Sequence, residues 1–319
     1  MLRNWRFQQA LYRAYYDGYV HDRLVYESGL EQQAKQCLRD APRLGSEVAI
    51  EEARRILDQA VTKPVAEDLR ARVFALAESL YQSIGMQLSV DRYAALAVSR
   101  GANLDSIDCP LNERFWLERS MEEARQIGTE PSRLAALDKI LNRTNPGPGG
   151  FYDDLGNVSM QPHLVDPVGY DADPGGFRSP RSGWEAFDGG FIGRSSIDAI
   201  RPDGPARFLQ NPKAWWDYVE TQYETPLVLR YEHLDPQAQY RVRVVFAGRF
   251  HTPRVQLVAN DGIVVSPPIE KPVPTQPVEF DIPAEATKTG VLTLRWSIEA
   301  GAGGFNGSVG IAEVFLMRK

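Results

Sequence analysis

The hydrophobic pattern of this 319-residue chain changes its period once, near the middle, and a single architecture cannot satisfy both halves. Up to about residue 142 the apolar residues recur every three or four positions, the period of a helix with one buried face. From about residue 215 they alternate with polar residues, the period of a strand with one buried face. The reading is therefore α+β, with a helical region first and a sheet structure second.

Phe7, Leu11, Tyr15, Tyr19, Leu24, Leu30 and Ala34 predict a first helix over residues 6–37. Ser46 is the expected N-cap of a second helix, followed by Glu47, Glu51 and Glu52, and Lys63-Pro64 ends it. Leu69, Val73, Leu76, Leu80 and Ile84 mark a third helix over 65–86. A short helix from Asp91, then 113–126 and 132–142, complete a bundle of five or six. The polar run 101–112 between them is expected to be an ordered connector whose Asp and Asn side chains bond local backbone.

In the second half Tyr240, Val242, Val244 and Phe246 alternate with Arg241 and Arg243. Pro226–Tyr231, Val255–Ala259, Ile263–Val265, Pro277–Ile282, Val291–Ser297 and Ser308–Met317 are the other expected strands. Asn260-Asp261-Gly262 makes a hairpin turn. Seven or eight strands with no helix among them predict an antiparallel β-sandwich over residues 206–319.

Residues 142–190 between these patterns read as neither helix nor strand. A plain linker is poor in aromatic residues, whereas this run carries Phe151, Tyr152, Tyr170, Phe177, Trp184 and Phe187. It is expected to be an ordered functional loop. The expected division is a helical domain at 1–143, a long ordered loop at 144–205 packed between domains, and the sandwich at 206–319.

Composition narrows the function classes. A net charge of −6 argues against nucleic acid as the main partner, which would want a basic face. No apolar run approaches the roughly 18 residues that span a bilayer, and Met1–Trp5 has no signal-peptide core. As written, the chain is expected in the cytoplasm. Two cysteines, Cys37 and Cys109, make no disulfide framework.

Leu234-Asp235-Pro236 with Tyr240–Val244, Phe280-Asp281-Ile282-Pro283 and Leu292-Thr293-Leu294-Arg295-Trp296 resembles jelly-roll modules of the galactose-binding and malectin-like type. Through Asn145–Asp154 the whole chain is similar to the C-terminal portion of large bacterial proteins of the glycan-degradation kind. The resemblance implies sugar binding, or packing against a neighbouring catalytic domain or subunit. It also implies a periplasmic or secreted location if the chain is one end of a larger exported protein.

Candidate residues follow from chemistry. Asp153 and Asp154 are neighbours whose side chains point oppositely on an extended chain, so they do not face each other across a sugar. One of them could pair with Asp166, Asp171, Asp173 or Glu185, or with His163 as a general base. Asp153, Asp154, Asn157, Asp171 and Asp173 supply oxygens that suit a structural calcium. Tyr152, Trp184, Trp215, Trp216 and Asn306 are expected at a sugar-binding surface, one of the adjacent tryptophans facing outward from a strand. Ser195-Ser196 lacks the nucleophile-elbow pattern, and Gly147–Gly150 lacks the Lys-Ser/Thr of a phosphate loop. Three functions follow: a carbohydrate-binding or accessory region of a glycan-degrading system, a glycoside hydrolase with its site in the 150–190 loop, or a structural scaffold.

Overall fold

The computed structural model describes residues 4–96, 102–165, 171–176, 179–184, 200–201, 204–205, 207–248, 254–260, 262–303 and 309–319. Two compact units emerge. Residues 1–143 group with 190–212, and 144–189 group with 213–319.

The first unit is helical. Its helices are α1 (Trp5–Arg39), α2 (Ala41–Leu44), α3 (Ser46–Leu57), α4 (Gln59–Thr62), α5 (Glu67–Ile84), α6 (Val90–Tyr93), α7 (Arg114–Arg125) and α8 (Glu130–Leu141). Helix α1 runs 35 residues and packs along both α3 and α5. Leu30, Ala34 and Leu38 enter a core with Ile50, Leu57, Leu117 and Met121. Tyr12 and Tyr19 enter a second core with Val73, Ala77 and Leu80.

Along α1 a stripe of polar side chains at helical spacing binds the connector 103–113. The Tyr12 hydroxyl donates to Asn103 Oδ1 at 2.8 Å and the Tyr19 hydroxyl to Asp108 Oδ1 at 2.8 Å. The buried Arg23 guanidinium donates to the carbonyls of Ile107 (2.6 Å) and Cys109 (2.9 Å) and to Glu27 Oε1 (2.6 Å from Nη2). Glu27 Oε2 accepts the Leu111 amide at 2.7 Å, and Glu31 Oε2 accepts the Glu113 amide at 2.9 Å. A connector with no ladder of its own thus finds its backbone partners on a helix. The connector is ordered as expected, with one difference. Many of its bonds come from α1, about eighty residues earlier in the chain, beside those of its own side chains, such as Asp105 accepting the Val90 amide and Asn112 the Arg114 amide.

The expected N-cap Ser46 is instead the first residue of α3, and the cap position is Gly45 at φ 88°. The orphan Ser46 amide is satisfied from outside, by Glu130 Oε1 at 2.7 Å, while the Ser46 hydroxyl donates to Glu130 Oε2 at 2.5 Å. Sequence spacing alone does not show a cap supplied by another helix. These two bonds, and then Arg133, hold the Glu130 carboxyl down at about 2. A carboxyl lowered on folding stabilises the fold above its unfolded value of about 4.3 and loses that contribution as pH falls toward the folded value. Acid unfolding of the full chain is therefore expected to lose part of its steepness between about pH 4 and 2 in Glu130→Gln. An unchanged acid limb contradicts this role.

The second unit is a two-layer antiparallel structure. Its strands are β1 (Phe151–Asp154), β2 (Leu164–Val165), β3 (Arg181–Trp184), β6 (Asp217–Glu220), β7 (Leu227–Tyr231), β8 (Tyr240–Phe246), β9 (Val255–Ala259), β10 (Ile263–Ile269), β11 (Pro277–Ile282), β12 (Leu292–Ile298) and β13 (Gly310–Arg318). The short β4 (Ile200–Arg201) and β5 (Gly204–Pro205) pair with each other. One sheet has the order β11-β8-β13-β6-β3, with β1 also on β13; the other has the order β10-β9-β12-β7-β2. Inward residues of both sheets make one core, including Tyr240, Val242, Val244, Phe246, Leu292, Leu294 and Trp296. The expected β-sandwich is present.

The stretch expected to be a loop supplies three strands of this sandwich. Phe151–Asp154 pairs with Leu316–Glu313, Leu164–Val165 with Leu229–Val228, and Arg181–Trp184 with Glu220–Asp217. Two- to four-residue strands carry too little alternation to register as a period. In β1 the inward position 153 is an aspartate, which breaks the pattern further. Trp215 ends a 3₁₀ turn, Lys213–Trp215, and Trp216 follows it, so the pair does not lie on a strand. Gly183 lets the Tyr218 ring lie against the sheet, since a Cβ there would sit 2.2 Å from that ring.

Candidate functional site

The structure brings two of the expected residues together. Asp153 is fully buried and points inward from β1. His163 stands just before β2, and its Nδ1 lies 2.9 and 3.0 Å from the two Asp153 oxygens. The Tyr231 hydroxyl, from β7, donates to Asp153 Oδ2 at 2.9 Å. A carboxylate only accepts, so Nδ1 carries the hydrogen and Nε2 is left as the basic nitrogen. Burial, and then the adjacent carboxylate, hold the Tyr231 phenol well above its ordinary range, which keeps it a donor. The imidazole packs edge-on to Phe151 (5.1 Å) and against Tyr231 (4.5 Å). These three side chains join the two sheets across the core. An oriented imidazole is also how general bases are held, and the His163 side chain retains 20% exposure.

Asp154 lies on the opposite face of β1, in register with Glu313 of β13. Glu313 is buried and accepts the Tyr152 hydroxyl at 2.6 Å and the Trp215 indole N–H. The Tyr152 ring packs on Phe315 at 4.6 Å, and the Arg243 guanidinium lies over the Phe315 ring, 3.9 Å from its centroid. Tyr152 and Trp215 are therefore half-buried around a carboxylate, Trp216 is buried, and the tryptophan pair does not alternate along a strand.

Asp173 is buried and accepts the Ser179 amide (2.9 Å) and hydroxyl (3.2 Å), while Asp171 is exposed. Asp153 is committed to His163 and Tyr231. Among the described residues no group of three His, Cys, Asp or Glu side chains is placed to hold a metal ion. Asn306, Asp166, Tyr170, Phe177, Glu185, Phe187 and Ser195-Ser196 lie outside the described residues, as does the side chain of Trp184.

A third feature is Tyr223, one of the aromatic residues that the sequence gathers around the β half. Tyr223 is 45% exposed, in the connection between β6 and β7, and has φ 55°. That left-handed backbone is costly for a bulky side chain, and such residues concentrate at ligand sites. A Cβ at Gly303 would lie 2.2 Å from the Tyr223 carbonyl carbon and oxygen, so only glycine fits behind it. The Glu224 carboxylate accepts the Gly301 amide and ties the same two connections. Tyr223 therefore stands at the rim of the sandwich on a backbone fixed from behind. The glycine-rich run 301–307 is a second sequence signal that could have pointed to it.

No protein-family model matches the chain, and no curated protein matches it. Solved structures similar to part of it include a family 35 carbohydrate binding module from an environmental isolate. That match has 19% identity and a TM-score of 0.25, covering 31% of this chain and 72% of that one. A family 35 module from Clostridium thermocellum matches with 17% identity and a TM-score of 0.24, over 34% of this chain and 84% of that one. The Podospora anserina GH26-CBM35 β-(1,4)-mannanase matches with 15% identity and a TM-score of 0.23, over 32% of this chain and only 21% of that one. Likenesses at these scores carry no argument about binding or chemistry.

Among the described residues no helix is long and apolar enough to cross a membrane.

Proposed function

We propose that the β unit binds carbohydrate at the rim where Tyr223 stands, and that the chain serves as a binding or accessory region in glycan processing. The observation that carries this reading is an exposed aromatic ring kept on a strained backbone. A pyranose offers a face of C–H groups that stacks on such a ring, while neighbouring polar groups fix its hydroxyls. The resemblance of segments 234–244, 280–283 and 292–296 to galactose-binding jelly-roll modules supports the same class of ligand.

Strain held for function makes a specific prediction. Tyr223→Gly relieves the backbone and is expected to leave fold stability unchanged, or to raise it by up to about 1 kcal/mol, while glycan affinity falls. Urea unfolding and calorimetric titration of the same variant check both halves. A variant that is markedly less stable, or that binds as well as the parent, removes the ring from the account.

A further inference from the structure

Resting on that reading, we propose that Glu224 is a positioning residue for Tyr223, acting through the hydrogen bond its carboxylate accepts from the Gly301 amide. Three observations converge on two short connections. Tyr223 holds a left-handed φ of 55°. The next residue, Glu224, reaches across to residue 301. Two positions further on, Gly303 lies against the Tyr223 carbonyl so closely that a Cβ would stand 2.2 Å from it. Gly301 itself has φ 80°, a conformation that suits glycine.

The physical logic is preorganisation. A ring on a mobile turn is ordered at the moment of binding, and that ordering subtracts from affinity. A tie from the residue beside it fixes the turn beforehand. Gly303 supports the turn from one side by close packing, and Glu224 holds it by an acceptor. The role requires an oxygen that accepts from an N–H; it does not require a negative charge. This separates it from a long-range electrostatic effect, and coupling to the Tyr223 ring separates it from a direct contact to a sugar hydroxyl.

The experiment uses the full chain as wild type, Glu224→Gln, Glu224→Ala, Tyr223→Ala and the Glu224→Ala/Tyr223→Ala double variant. Amide hydrogen exchange at Gly301 is read first, without ligand. Protection is expected in wild type and Glu224→Gln and is expected to be lost in Glu224→Ala. Affinity is then read by calorimetry with cello-, manno-, xylo- and galacto-oligosaccharides. Glu224→Ala is expected to bind about threefold to tenfold more weakly, the worth of one hydrogen bond, with Glu224→Gln close to wild type. The double variant is expected to bind no more weakly than Tyr223→Ala alone, because the tie acts only through the ring. Equal Gly301 exchange in wild type and Glu224→Ala overturns the tie. So does a Glu224→Gln variant as impaired as Glu224→Ala, or a double variant with fully additive losses. A wild type that binds none of these sugars overturns the carbohydrate reading instead, and the exchange result still decides the tie.

Discussion

Replacing Asp153 with alanine is expected to destabilise the β unit by about 3–5 kcal/mol, since the buried Tyr231 hydroxyl and the partly buried His163 imidazole then lose a charged partner. The Tyr231 hydroxyl and His163 Nδ1 both aim at that carboxylate from the second sheet; the hydroxyl is fully buried, and the His163 side chain is only 20% exposed. Asp153→Asn is the informative companion. Its amide oxygen can still accept from Tyr231, and its NH₂ can donate to a His163 ring whose Nδ1 has lost its hydrogen. The loss is expected to shrink to roughly half. Urea unfolding of the full chain, followed by a signal from the β unit, measures both. If alanine costs no more than a surface change, the three residues do not hold the sheets together. His163 would then be better explained as the general base of the hydrolase alternative.

Arg23→Ala is the second large effect, with an expected loss of about 3–5 kcal/mol from the helical unit. The change strands the buried Glu27 carboxylate and frees the carbonyls of Ile107 and Cys109 together. Arg23→Lys restores the charge, yet one ammonium cannot span the fork that reaches Glu27 and two carbonyls, so an intermediate loss is expected. The consequence is local as well. The connector 103–113 loses its anchors, and proteolysis within it is expected to accelerate in Arg23→Ala before α3 and α5 unfold. A connector that resists cleavage as in wild type contradicts the description of α1 as its docking surface.

The parts of the fold legible in the sequence are those whose period is long and unbroken. Tyr240, Val242, Val244 and Phe246 all turn inward as their alternation requires, and Leu292, Leu294 and Trp296 do the same on the facing sheet. The stripe Leu69–Ile84 forms α5 with bounds shifted by two residues at each end. The middle of the chain was illegible for a physical reason. Strand β1 places an aspartate where a core residue is expected, and β2 is only two residues long. Such strands exist because β13 and β7 offer partners, which is a tertiary cause.

The candidate site was legible in its parts and not in its pairings. Asp153 and His163 were each recognisable as chemistry-bearing residues, but a turn of 3₁₀ helix between them decides that they meet. Tyr231, their third member, sits in the apolar strand Leu227–Tyr231 and reads as core alone. Glu313 was hidden in the same way, inside the long strand β13, whose residues from Gly310 to Leu316 are all buried. Tyr223 needed a backbone angle, which no residue pattern states.

The most direct test is calorimetric titration of the full chain and of Tyr223→Ala with the four oligosaccharide series, alongside unfolding curves for both. The account predicts saturable binding of at least one series by wild type, weakened roughly tenfold or more in Tyr223→Ala, with stability close to wild type because alanine keeps the same left-handed backbone. Wild-type protein that binds no series, or a variant that binds as tightly as its parent, contradicts it.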